Sequence, residues 1–128
     1  MIPRLFLLLS SAVFFLIGIN TFIDPQKAVI GLDLHLSSVT AFNEMRANYG
    51  GMHLGMGLML LVAAFKKQYR LAGLWLVCIF TGGLLFGRAV SMFLDGRPND
   101  VLWSITLFEL VAVALGAIAI TIERKKRL

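Results

Sequence analysis

Cysteine is almost absent from this chain: Cys78 is the only one in 128 residues. No internal disulfide can form, and Cys78 sits inside "LWLVCIF", where it reads as a small apolar filler. Charge is also scarce. Only 15% of residues are charged, against about a quarter in an ordinary soluble domain, which excludes a conventionally solvated surface. No nucleophile motif, metal quartet or cofactor loop is present, so nothing in the sequence calls for an enzyme or names a cofactor. The net charge of +5 would suit a nucleic-acid partner. However, the basic residues lie at the ends of hydrophobic runs with no aromatic interleaving, and they read as topology signals instead.

What the chain does have is apolar sequence in long blocks, 59% of all residues. Four blocks are each long enough to cross a hydrocarbon layer of ~30 Å at ~1.5 Å per residue. They run over residues 5–23, 43–65, 71–94 and 101–122. The expectation is a single integral membrane domain over residues 1–128: an all-α, transmembrane four-helix bundle. The first block also resembles a signal peptide, with Arg4 before an apolar core, but no small-x-small site follows it and it is expected to remain as a span. "DPQ" at Asp24 stops the first span, because proline cannot continue a helix there. "KKQYR" separates the second and third spans. "DGRPND" separates the third and fourth, with Asn99 or Asp100 as the N-cap.

Lysine and arginine counts give the orientation. Arg4, Lys66, Lys67, Arg70, Arg124, Lys125, Lys126 and Arg127 fall on one side. Lys27, Arg46, Arg88 and Arg97 fall on the other. The richer side is cytoplasmic, which places both termini in the cytoplasm and the longest connection, Pro25 to Phe42, outside. Within that connection "VIGLDLHLS" alternates apolar and polar residues, the period of a short extended segment lying over the bundle mouth. It is either a packed connector or a lid.

This topology gathers Asn20, Glu44, Arg46, Asn48, Tyr49, His53, Arg88 and Glu109 into the outer half of the membrane. Arg88 lies ~10 Å inside Asp95 along its helix, and Glu109 ~13 Å inside Asp100. A charge at the bilayer centre costs roughly 3 kcal/mol on insertion scales. Side chains lean toward the N-terminus of their helix. Arg88 therefore leans deeper and Glu109 shallower, and an Arg88–Glu109 ion pair facing the bundle interior is expected. Such a pair either marks a site or fixes helix register.

Helical spacing puts Arg46, Gly50, His53 and Gly57 on one stripe. His53 is then a hydrogen-bonded interhelical residue, a proton-handling or ligand-contacting group, or a metal ligand. The metal reading is weakest, since no second histidine lies at i+4. Gly51 and Gly55, and again Gly83 and Gly87, are GxxxG pairs suited to close helix approach in lipid. Tyr49 and Trp103 suit the interfacial level, and Met52, Met56 and Met59 read as filler.

At "FNEMRANYGGMHLGMG" the chain resembles a family of small bacterial four-helix integral membrane proteins, described only as a domain of unknown function, with a shared N-E-x-R-A-x-Y-G-G stretch. The matching residues are Asn43, Glu44, Arg46, Ala47, Tyr49, Gly50 and Gly51. Gly87-Arg88 and Glu109 are similar to the family pattern, and there is a more distant likeness to DoxX-like four-helix membrane proteins. The resemblance implies a multi-pass protein of the bacterial inner membrane. It implies no activity, cofactor or catalytic residue.

The functional expectation is a binding or accessory protein with a polar pocket in the outer half of the bundle. The pocket would take a membrane lipid or another amphipathic small molecule, with a homo-oligomer or a larger membrane complex as the setting. A proton-coupled exporter acting as an oligomer ranks second. A membrane enzyme using His53 and a buried glutamate ranks last.

Overall fold

The computed structural model describes residues 1–126, so Arg127, counted above with the cytoplasmic charges, lies outside the described residues. The structure is 89% helical. Helix α1, Ile2–Ile23, starts with Pro3 in its first turn, where a missing N–H costs nothing. It stops where Pro25 has no N–H to donate back to Thr21, and Asp24 turns extended (φ −143°, ψ 92°). The Asp24 carboxylate then accepts from the Lys27 amide at 3.1 Å and caps the short α2, Pro25–Val29. A 3-10 turn follows at Ile30–Leu32, closed by Asp33 in the left-handed region (φ 59°).

Ser38 accepts from the Ala41 amide at 3.1 Å and opens α3, Val39–Met45. A π-helical turn, Arg46–Gly51, joins α3 to α4, Met52–Phe65. The three pieces make one continuous span, Val39–Phe65. Lys66 is extended and breaks it from α5, Lys67–Asp95. Gly96, at φ 95°, adopts a conformation that side-chain-bearing residues rarely reach and releases the chain toward α6, Asp100–Lys125. Asn99 caps α6 by accepting from the Leu102 amide at 2.9 Å.

Four helices, Ile2–Ile23, Val39–Phe65, Lys67–Asp95 and Asp100–Lys125, are long and apolar enough to cross a membrane. Neighbours in the sequence are neighbours in space. α1 packs on α4, α4 on α5, and α5 on α6, and α6 closes the ring against α1. Large apolar residues such as Leu16, Leu58, Ile79, Phe86, Phe93, Phe108 and Leu115 face outward, where acyl chains would cover them.

The packed core is confined to one end. Leu7, Phe14, Leu60, Ala63, Ala64, Leu74, Val77, Ala119 and Ile120 form a single cluster. These residues come from the parts of the helices nearest the chain termini. In α5 the buried residues are Gly73, Leu74, Val77 and Thr81, and beyond Thr81 the helix leaves the core. At the other end α1 and the second span stay in close contact, through Gly18 against Leu54 and Phe22 against Gly50, and the bundle opens along α5.

Two local expectations fail. The alternating segment is not extended at Ile30–Leu32, which forms a 3-10 turn; the Asp24 cap and Pro25 start a helical turn before the alternation can take effect. It is nevertheless tied across the mouth. Gln26 donates to the Leu34 carbonyl (3.0 Å) and accepts from the Leu36 amide (2.7 Å). Asn99 donates to Asp33 (2.6 Å) and to the Gly31 carbonyl (3.2 Å).

The second failure concerns close helix approach. An added Cβ at Gly55, Gly83 or Gly87 would meet nothing within 4 Å, and one at Gly51 would meet only the Arg46 carbonyl of its own span at 3.8 Å. The tight contacts are at Gly18, Gly50, Gly57, Gly73 and Gly116, where an added Cβ would run into Leu54, Phe22, Phe15, Ala63 and Cys78 respectively. The buried stripe of the second span is Gly50, His53, Gly57 and Leu60, so Gly51 and Gly55 are one position off it. Gly83 and Gly87 lie where α5 has already parted from the core.

Candidate functional site

The open end is organised by α5 and α6. Arg88 donates from Nε to Glu109 Oε2 at 2.7 Å and from Nη2 to Oε1 at 2.9 Å. This is the expected ion pair, in bidentate form, the strong class of charge-assisted contact. Glu109 is 7% exposed, so its charge would be costly without such a partner. The side-on geometry occupies Nε and Nη2 and, among the described residues, leaves the Nη1 N–H groups of Arg88 without a protein acceptor.

Beside the pair lies a cavity of about 330 Å³. Its back is α5, contributing Gly83, Leu84, Gly87, Arg88, Ser91 and Met92; its rim is Gly96, Pro98 and Leu102; its far wall is Tyr49. The open space over Gly83 and Gly87 is part of this cavity. The paired glycines therefore make room for a hollow rather than for a neighbouring helix.

Tyr49 comes from the π turn. The longer repeat of a π turn re-aims the residues it contains, and such turns are frequent at functional sites. Here it sends Arg46 away from the Gly50 stripe. Arg46 Nε donates to the Phe22 carbonyl at 3.4 Å, one of the acceptors left open at the end of α1, and its guanidinium lies 5.9 Å from the Phe42 ring. The same turn keeps Tyr49 stacked on His53, with ring centres 5.8 Å apart and planes 11° apart.

His53 is 8% exposed. It is held between Phe14 (5.5 Å) and the edge of Phe80 (6.1 Å, 87°). Its Nδ1 lies 3.2 Å from the Asn48 carbonyl. A carbonyl oxygen only accepts, so this contact places a proton on Nδ1.

The eight polar residues gathered by topology thus divide in two. Tyr49 and Arg88 line the cavity, Glu109 reaches it only through Arg88, and His53 stacks on Tyr49. The other four face outward. Asn48 donates to the Glu44 carbonyl (3.1 Å) and carboxylate (2.9 Å) on the exposed side of the second span. Arg46 caps α1, and Asn20 is exposed. Sharing a membrane half sets depth, not azimuth, and depth alone could not separate the two groups.

Two features escaped the sequence reading. Ser91, which lines the cavity, donates to Asp95 at 2.9 Å. A second arginine–glutamate contact, Arg70 Nη1 to Glu123 Oε2 at 3.8 Å, bridges α5 and α6 at the terminal end, with Glu123 1% exposed. A signal for it existed. Arg70 and Arg88 are eighteen residues apart, about five full turns, and so share one face of α5. Glu109 and Glu123 are fourteen apart, about four turns, and nearly share a face of α6.

A second groove, of about 370 Å³, lies between α5 and α6 near the terminal end, among Trp75, Cys78, Val113, Ala117, Ile120, Thr121 and Arg124. The Thr121 hydroxyl is committed to the Ala117 carbonyl (3.0 Å). Its other polar groups are Arg124, the Trp75 indole N–H and the weakly donating Cys78 thiol, with no bidentate ion pair among them, so this groove is the weaker candidate.

Four apolar helices, packed at one end and opened around a paired charge at the other, define a polytopic helical membrane protein with a cleft between its helices. The chain belongs to the family described as Domain of unknown function (DUF4345), which it matches over residues 2–120. No curated protein and no solved structure matches it.

Proposed function

We propose that the protein is a small binding protein of the bacterial inner membrane whose outer-half cleft holds an amphipathic small molecule. Both termini lie in the cytoplasm, and the cleft opens in the outer half of the membrane. The observation that carries this reading is the pairing of unused hydrogen-bond donors with empty volume. Arg88 is locked in position by Glu109 yet keeps free N–H groups, and Tyr49 stands opposite across about 330 Å³. That volume is at the lower end of the ~300–1,000 Å³ found for small-molecule sites. It suits a head group and the first carbons of a chain, with the remainder lying in lipid along Leu84 and Met92.

A purely structural ion pair has no need of a hollow beside it. Helix packing in lipid ordinarily closes such spaces. The test is a comparison of molecules extracted from the purified wild-type protein and from Gly83→Leu/Gly87→Leu, analysed by mass spectrometry. Neither glycine has a neighbour within 4 Å of an added Cβ, so both leucines start in open space and grow into the cleft. Loss of one or more amphipathic species from the variant is expected. Identical extracts would overturn the reading.

A further inference from the structure

The geometry points to an occupant whose polar end is an uncharged hydrogen-bond acceptor, a ketone, quinone or ester carbonyl, rather than a carboxylate, phosphate or ammonium. This inference rests on the binding reading above and specifies its ligand class. It follows from the charges and free valences that face the cleft from each side.

Arg88 supplies one positive charge, and Glu109 cancels it at 2.7 and 2.9 Å. Ser91 points its hydroxyl proton at Asp95 (2.9 Å), so it offers the cleft lone pairs and sits beside a second carboxylate. Among the described residues the cleft therefore has no uncompensated cation. An anionic head would reach an arginine already paired with Glu109, beside a serine already bonded to Asp95. It would lose its hydration with no net attraction in return. An ammonium head fails for a different reason. It would approach the Arg88 guanidinium, a like charge with donors and no acceptor, and the acceptors at the rim, Ser91 and Asp95, already share a hydrogen bond with each other.

A carbonyl oxygen meets both conditions. It accepts from the Arg88 Nη1 N–H groups, left open by the side-on pairing, and from the Tyr49 hydroxyl, and it brings no charge to be desolvated. Donors facing lipid without an acceptor are costly, so satisfying them favours the carbonyl over a plain alkane tip as well. The apolar remainder lies against Leu84 and over Gly83 and Gly87, which leave a smooth channel along α5.

The experiment titrates the purified full chain in nanodiscs of uncharged phospholipid with three probes: methyl myristate, sodium myristate and tetradecylammonium, whose amine is still protonated at the pH used. It is run at about pH 9, where a carboxylic acid is ionised. Binding is followed by native mass spectrometry on the wild type, on Gly83→Leu/Gly87→Leu and on Tyr49→Phe. Methyl myristate is expected to bind at least about tenfold more tightly than either charged probe, which corresponds to ~1.4 kcal/mol. It should be lost in the glycine double variant and weakened severalfold in Tyr49→Phe. A charged probe that binds as tightly as the ester, and is lost in the glycine variant, would overturn the uncharged-head inference and leave the binding reading standing. Binding of all three probes unchanged by the glycine substitutions would overturn both.

Discussion

Removing the Glu109 carboxylate alone should cost far more than removing it together with its partner. In Glu109→Leu the Arg88 guanidinium loses two charge-assisted hydrogen bonds, at 2.7 and 2.9 Å. It stays in a wall where only 23% of its side chain is accessible. Breaking a buried ion pair by deleting one member costs about 3–5 kcal/mol. Arg88 still borders the cleft and can draw in water or a lipid carbonyl, so the lower figure, about 3 kcal/mol, is expected. That is roughly a hundredfold in the unfolding equilibrium. In Arg88→Met/Glu109→Leu neither charge remains, and stability should return to within about 1 kcal/mol of the wild type. Reversible SDS-driven unfolding in mixed micelles, followed by Trp75 and Trp103 fluorescence, measures all four corners of the cycle. The reasoning is refuted if Glu109→Leu costs less than about 1 kcal/mol, or if the double variant simply sums the two single effects.

The same unfolding assay reaches the contrast between glycines. Gly73→Ala would place its Cβ 2.5 Å from that of Ala63 and should destabilise by about 1–3 kcal/mol through overpacking, whereas Gly83→Ala meets nothing and should stabilise by up to about 1 kcal/mol through helix propensity. Asn99→Ala removes the α6 cap and the ties to Asp33 and Gly31, so a loss of about 1–2 kcal/mol is expected. At the end of α1, the Asp24 carboxyl is held below its ordinary value, first by the Lys27 backbone N–H and with further help from the Lys27 ammonium. A depressed acid stabilises the fold above its unfolded pKa, and this contribution fades as pH falls through the folded value. The α2 cap should therefore survive mild acid and loosen only below the ordinary aspartate range. A carboxyl NMR titration of Asp24 with a midpoint at or above that range would contradict it.

The parts of this protein legible in its sequence are those governed by length, hydropathy and depth. The four spans, the stop at Asp24-Pro25 and the cap at Asn99 follow from local chemistry that packing does not override. The Arg88–Glu109 pair was legible because two charges buried at converging depths have few alternatives to meeting. The π turn at Arg46–Gly51 was not legible. Its composition suggested a polar stripe on an unbroken α-helix, and that periodicity kept Gly50, His53 and Gly57 correctly together but assigned Arg46 to the wrong face. The GxxxG pairs failed for a related reason. Small residues permit close approach but do not cause it, and the face of α5 that carries Gly83 and Gly87 meets no neighbouring helix among the described residues. Arg70 was read only as a cytoplasmic topology marker, which hid its contact with Glu123 across α5 and α6.

The most direct measurement is a high-resolution structure of the full chain in bilayer nanodiscs prepared with its native lipids. Elongated density running over Gly83 and Gly87, with its polar tip within hydrogen-bonding distance of Arg88 Nη1 and the Tyr49 hydroxyl, is the predicted result. A cleft closed by α5 settling onto the second span, with Arg88 and Glu109 sealed off from any occupant, would contradict the account.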